Sequence, residues 1–362
     1  MRMIDCRRDI SYEIMRTVAC IAVIAIHVFA GYFQMFGRIN LSSWIYSDLI
    51  DSLSRFSVPL FVMITGALLL KKNVGIKDAL HRFIHIFFIL IAWSAAYLVI
   101  VNIFINGQHY TILSVINQFT GNQIYYHLWY LYMLLGLYLV MPILSYFLVP
   151  YRKNVMKYYI YLFAIYTLLS EVLSVLQLLN IHFSFYYTIP MMDWQLGVLI
   201  FGYFLSQKVK VEKKEFWVSI SVLAVCQILT ILLTYFQCAK LQAYNETFYG
   251  YNSFTVFIPA AAIFIIIRYL SQKIKYDSWY VKIFRFIGAI SLEIYLIHPM
   301  ILAAYDKYLL KHQNEIIKRM SLQYTFKFMV VCIVSVIAAF IVRYVCDILK
   351  RIGKSPRKRN AA

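Results

Sequence analysis

The sequence predicts an all-α polytopic membrane protein of about ten transmembrane helices, with the N- and C-termini cytoplasmic. Composition is the first ground. The 362 residues are 62% hydrophobic and 14% charged, with a mean hydropathy of +0.70. A soluble protein averages roughly 45–50% apolar and about 25% charged. The second ground is length, because about ten apolar runs approach the roughly 20 residues needed to cross a bilayer core. The third is the placement of Lys and Arg, which gather in alternate connections as cytoplasmic loops do.

The expected spans are 14–35, 46–70, 83–105, 127–149, 157–179, 186–206, 216–237, 253–271, 284–305 and 325–348. The N-terminus carries Arg2, Arg7, Arg8 and Arg16. After the second come Lys71, Lys72, Lys77 and Arg82. The third leads into 106–126, which carries no acidic or basic charge. Arg152, Lys153 and Lys157 follow the fourth, and the fifth leads into the uncharged 180–186. The sixth is rich in polar residues and precedes Lys208, Lys210, Lys213 and Lys214. Lys273, Lys275, Lys282 and Arg285 follow the eighth. The ninth carries Glu293 and His298 within its apolar run, and the connection after it, 306–324, mixes both signs. A basic tail closes the chain. An even span count and cytoplasmic termini are mutually consistent. The expected organisation is therefore a membrane domain, 1–349, and a cytoplasmic tail, 350–362, in a cell (plasma) membrane.

The net charge of +19 thus belongs to basic loops, and no nucleic-acid partner is expected. The six cysteines are scattered, without metal or disulfide spacing, and read as structural. No metal site is expected. The first run is long enough to span and lacks a small-residue cleavage site, so it does not read as a signal peptide. No linker, low-complexity tract, internal repeat or appended soluble domain is evident.

Buried ionisable groups carry the functional content, since each is costly in a bilayer. Arg16 and His27 are eleven residues apart, about 16 Å along a helix and nearly on one face. Histidine is the side chain most easily poised to move a proton near neutral pH. The bland alternative is a snorkelling arginine and a histidine bonded between helices. The stretch Lys77-Asp-Ala-Leu-His81-Arg82-Phe-Ile-His85 suits phosphate binding, although positive-inside bias also explains it. The fourth span opens His127-Leu-Trp129-Tyr130-Leu-Tyr132, where an interfacial aromatic belt accounts for the rings. The ninth reads Ser291-Leu-Glu293-Ile-Tyr295-Leu-Ile-His298-Pro299, with Ser291 and His298 on one face. Arg55 has Asp51 one turn earlier, an expected local ion pair. Glu171 and Asp193 are expected to pair with each other or with Arg55, or to line a polar cavity. The outer tyrosines Tyr186, Tyr187, Tyr244, Tyr249 and Tyr251 suit either sugar stacking or interfacial anchoring.

The ordered set resembles the acyltransferase 3 family of integral-membrane acyltransferases. The stretches that carry the likeness are Arg16 to His27, the span-two sequence Val-Pro-Leu-Phe-Val-Met-Ile-Thr-Gly66, His127-Leu-Trp-Tyr-Leu and Ser291-Leu-Glu-Ile-Tyr-Leu-Ile-His298. The likeness covers nearly the whole chain and is closest to stand-alone, polysaccharide O-acetyltransferase-like members. It implies acyl-CoA, most simply acetyl-CoA, as a co-substrate, with no permanently bound cofactor. It also implies a glycan hydroxyl or a lipid-linked sugar as acceptor, with membrane lipids around the chain. Arg16 and His27 match the family's signature pair. The family tends to have two arginines three apart at the start of span three; here they are Arg82 and His85, a departure. On this reading His27 is catalytic, with Glu293 or Tyr295 orienting it. His298 meets the acceptor or the oxyanion. Arg16, Arg82 and His85 bind the donor, and Arg55, His127, Trp129 and Tyr295 bind substrate. Two rival expectations are a transporter or flippase for a lipid-linked sugar, and a non-catalytic scaffold or sensor. The first is disfavoured by the absence of paired repeats with matching broken helices, the second by the buried histidines.

Overall fold

The structure, a computed structural model, describes residues 9–147, 153–181, 189, 191–317 and 319–352. Residues 353–362 of the predicted tail, Arg2, Arg7 and Arg8, and Tyr186 and Tyr187 lie outside the described residues. In chain order the helices are α1 (Ile10–Phe33), α2 (Leu41–Ser54), α3 (Ser57–Leu69), α4 (Ile76–Ala96), α5 (Ile112–Thr120), α6 (Trp129–Phe147) and α7 (Lys153–Leu178). They continue as α8 (Trp194–Lys208), α9 (Lys213–Leu241), α10 (Phe254–Ser271), α11 (Trp279–Ala289), α12 (Ser291–Tyr308), α13 (Leu310–Ile316) and α14 (Met320–Ile352). A π-helical segment, Tyr97–Ile105, prolongs α4. No strand occurs among the described residues.

Among the described residues, eight helical spans are long and apolar enough to cross a membrane, or nine if the bent pair α11–α12 counts as one span. The chain is thus a polytopic all-α membrane protein. The sixth predicted span, 186–206, corresponds to α8, which has 15 residues. That is short of the roughly 20 a full crossing needs.

Two predicted spans are broken. The second divides into α2 and α3 at Arg55–Phe56. Pro59 has no N–H for the carbonyl of residue 55, and its ring crowds that carbonyl, so the ladder is interrupted there. The ninth bends by 69° between α11 and α12. The bend sets the N-terminus of α12 at Ser291 inside the protein, where a straight helix would have carried it through. Capping is conventional where the chain enters α1: the Asp9 side chain accepts from the Ser11 N–H at 2.9 Å.

The core runs between α1, α3, α8, α10 and α12, with α4 and α6 closing one side. Helices α3 and α8 are pressed together by two glycines. A Cβ on Gly66 would lie 1.9 Å from the Leu199 carbonyl oxygen, and one on Gly202 would lie 2.2 Å from that of Met63. Small residues at such crossings let backbones approach without a layer of side chains between them. Gly288 does the same for α11 against α1, where a Cβ would meet Glu13 Oε2 at 2.3 Å. Large apolar side chains on α7, α9 and α14, such as Ile165, Val225 and Ile337, point outward from the bundle. Lipid is the solvent that such faces require.

Candidate active site

Three histidines from three separate spans meet within the bundle, toward the end away from Arg16. His27 comes from α1, His298 from α12, and His127 from the turn that leads into α6. The rings of His27 and His298 stack with centroids 5.2 Å apart. That of His127 meets His298 edge-on at 6.1 Å. His127 and His298 are fully buried, whereas His27 is half-buried. The last is therefore the one that a reactant can touch.

The local helix explains the orientation of His298. Its Nδ1 lies 3.2 Å from the Ile294 carbonyl oxygen one turn back. A carbonyl only accepts, so in the neutral ring Nδ1 carries the proton and Nε2 the lone pair. That Nε2 has no hydrogen-bond partner among the described residues. Tyrosines hold the remaining ring positions. Tyr295 donates its hydroxyl to the His127 carbonyl, and its ring lies 5.5 Å from that of His127. Tyr97 donates to the Leu296 carbonyl at 2.7 Å and meets the His127 ring at 4.8 Å. Tyr126 lies 4.9 Å from His27 and is 50% exposed, so it stands where the cluster opens outward.

A cavity of about 270 Å³ approaches the cluster from the opposite end of the bundle, where the basic connections lie. Arg16 and Arg82 stand at one end of its lining, Tyr130 and Tyr295 at the other. Ser291 and Leu292, the first residues of α12, also face it, so the positive end of a helix dipole joins the two guanidinium groups. Arg16 is steered by Glu13, whose Oε1 lies 3.0 Å from its Nη1. Tyr295 is common to both sites: it lines the cavity and touches His127.

Two predicted site residues lie elsewhere. Glu293, expected beside His27, points the opposite way and pairs with Arg343 of α14 at 2.7 Å. It is two residues from Ser291 and Tyr295, and a helix turns about 200° over that interval. Glu293→Gln is accordingly expected to leave activity within about twofold of wild type, as for a substitution outside the core. A rate measured on purified protein tests it, and a hundredfold loss would restore Glu293 to the site. His85 is exposed and does not line the cavity, so Arg82 alone of that pair reaches it.

Arg55 is buried and makes the expected pair with Asp51 at 2.8 Å. Its guanidinium also covers the Tyr249 ring at 4.1 Å. Tyr249 in turn donates to Asp48 Oδ1 at 2.5 Å. Trp129 stacks on Tyr251 at 5.7 Å, and Trp194 meets Tyr251 at 5.0 Å. Glu171 pairs neither with Asp193 nor with Arg55. It accepts from Ser253 at 2.5 Å and Thr255 at 3.1 Å, while Asp193 is exposed at the start of α8.

Sequence reasoning missed Asp48, Tyr97, Tyr126 and Trp194. Asp48 carried a usable signal, a carboxylate within an apolar run. The aromatic residues carried none, being indistinguishable from those that anchor helices or fill a core.

The chain matches the sequence model of one protein family, described as an acyltransferase domain and the third of that name, over residues 9–344. No curated protein and no solved structure matches it.

Proposed function

The chain belongs to the acyltransferase 3 family, and from that premise we propose that it moves an acyl group, most simply acetyl, from acyl-CoA to a hydroxyl of a cell-surface glycan or its lipid-linked precursor. The observation that carries this reading is the cavity lined by Arg16 and Arg82 at one end and by Tyr295, against the histidine cluster, at the other. Such a cavity suits a ligand with anionic phosphates at one end and a reactive group at the end of a long uncharged arm.

The donor enters from the cytoplasm. Arg16, Arg82 and the α12 N-terminus bind its phosphates by charge-assisted hydrogen bonds. The pantetheine arm runs inward toward His27, about 16 Å along α1. The acceptor hydroxyl approaches from the outer side, past Tyr126. His27 takes the hydroxyl proton as the oxygen attacks the thioester carbonyl carbon. The tetrahedral intermediate then collapses, the carbon–sulfur bond breaks, and the thiolate leaves with the proton returned by the imidazolium. The products are an O-acyl ester and free CoA. Neutral His298, its Nδ1 proton held by Ile294, stacks on the His27 ring and fixes its orientation. The Trp129, Trp194 and Tyr251 rings suit the apolar faces of a sugar, and Arg55 with its carboxylate partners stiffens that wall.

The test is incubation of purified protein with labelled acetyl-CoA and a panel of glycan acceptors. Acceptor-dependent release of CoA is expected; absence of both release and CoA binding would overturn the reading. Arg82→Ala is expected to raise KM for acyl-CoA about 10–100-fold, the worth of one hydrogen bond to a charged group, with kcat little changed because the phosphates are remote from the reacting carbon. An unchanged KM would remove Arg82 from the donor site.

A further inference from the structure

A second polar cavity lies on the outer face, away from the histidines. Its volume is about 580 Å³, and it is formed where the start of α2 meets the start of α14. The two helices are tied there by the Tyr46 hydroxyl and Thr325 Oγ1, 2.8 Å apart. Both therefore present their N-terminal, positive ends to one space. In α2 the Asn40 side chain caps the N–H of Ser43 at 2.8 Å, leaving those of Leu41 and Ser42 for another acceptor. In α14 the Arg319 carbonyl accepts from Leu322 and Gln323, leaving those of Met320 and Ser321.

Two further observations point to a ligand. Ser43 is 8% exposed, lines this cavity, and its hydroxyl finds no partner among the described residues. Its Oγ opens onto the cavity, where it can bond to whatever fills that space. Arg319, one of the cations that make 306–324 depart from the charge pattern of the other outer connections, also lines the cavity, and its side chain is exposed. Among the described residues the lining offers N–H groups, hydroxyls, the Asn40 amide and a guanidinium, with no carboxylate. Such a set selects a tetrahedral oxyanion over a cation or an uncharged sugar. Beside it, Leu41 and Leu322 are 50% and 54% exposed and face outward with the apolar surface of the bundle. A ligand with an anionic head and an apolar tail meets both features at once.

We propose that this cup binds the phosphoryl group of a lipid at the outer face of the membrane. On the acyl-transfer reading above, on which this last step rests, that lipid is the carrier of the acceptor sugar. The cup then anchors the phosphoryl end while the sugar extends toward Tyr126 and His27.

The experiment is native mass spectrometry of the full chain with a short-chain polyprenyl phosphate, phosphatidylglycerol, the uncharged polyprenol and inorganic phosphate as competitor. Wild type is expected to bind polyprenyl phosphate saturably, and Arg319→Ala and Ser43→Ala each to weaken it about tenfold. Arg319 precedes its helix and is exposed, so its variant retains the fold; an unchanged melting temperature and unchanged CoA binding check this. Preference for polyprenyl phosphate over phosphatidylglycerol supports a carrier site, and equal binding supports a site for a membrane phospholipid headgroup. Competition by inorganic phosphate supports recognition of the phosphoryl group itself. Equal binding of the uncharged polyprenol, or indifference to both substitutions, overturns the proposal. CoA release with a soluble glycan acceptor is read in parallel, so loss of the cup and loss of the acyl-transfer reading are separate results.

Discussion

His27→Ala is expected to abolish acyl transfer, lowering kcat by about 10²–10⁴-fold, the usual contribution of a positioned general base, while acyl-CoA still binds. The separation follows from geometry. The cavity that holds Arg16 and Arg82 does not include His27 in its lining, so donor affinity does not depend on the imidazole. His27 is also only half-buried, so its truncation leaves little of a cavity and the bundle persists. His298→Ala is the informative comparison. His298 is fully enclosed and bonded to its own helix, so its loss lowers thermal stability as well as rate. CoA release and CoA binding, measured on the same purified preparations, decide the matter. A His27→Ala rate within threefold of wild type would remove it as the base. Loss of CoA binding in that variant would move it from the reaction centre to the donor site.

The second large effect is on assembly. Gly66→Leu or Gly202→Leu is expected to prevent accumulation of folded protein, and the alanine variants to cost about 1–3 kcal/mol or more, as overpacking does. A Cβ at either position would lie within about 2 Å of a main-chain carbonyl of the facing helix. Backbone cannot rotate aside as a side chain can, so α3 and α8 must separate. Their separation opens the core on which α1 and α10 also pack. Gly136 in α6 is the control, since nothing lies within 4 Å of its Cβ position. Gly136→Ala is expected to be neutral or stabilising by up to about 1 kcal/mol through helix propensity. Monodisperse yield in detergent and thermal unfolding measure all three. Wild-type stability in Gly202→Ala would show that the helices are not in contact there.

Much of the fold was legible in the residue order. Apolar runs marked the spans because a bilayer demands internally bonded helices of a given length. Arg55–Asp51 was legible because four residues along a helix make one turn. The span containing α8 was less so: residues 186–206 read as a full crossing, yet the described helix begins only at Trp194. The break at Pro59 had a sequence signal in the proline itself. The 69° bend at Ile290 had none, because no Pro or Gly stands at that position and α11 is held to α1 through Gly288 and Glu13.

The candidate site divides along the same line. Within one helix, the 3.6-residue period decides which side chains share a face, and that joined Arg16 with His27 and Ser291 with His298. The period says nothing about which face meets which neighbour. Glu293 and Tyr295 are two residues apart, yet one meets Arg343 and the other closes a cavity against His127. The sequence by itself determined the membrane class, the alternation of basic connections and the eleven-residue interval from Arg16 to His27, because these depend on composition and helical rise alone. Only the tertiary structure decided that His27, His127 and His298 form one cluster, that Arg16 and Arg82 share one cavity, and that Glu293 belongs to neither. Those facts depend on how helices rotate and cross, and the contacts that set them, Gly66 and Gly202 among them, are made between residues far apart in the chain.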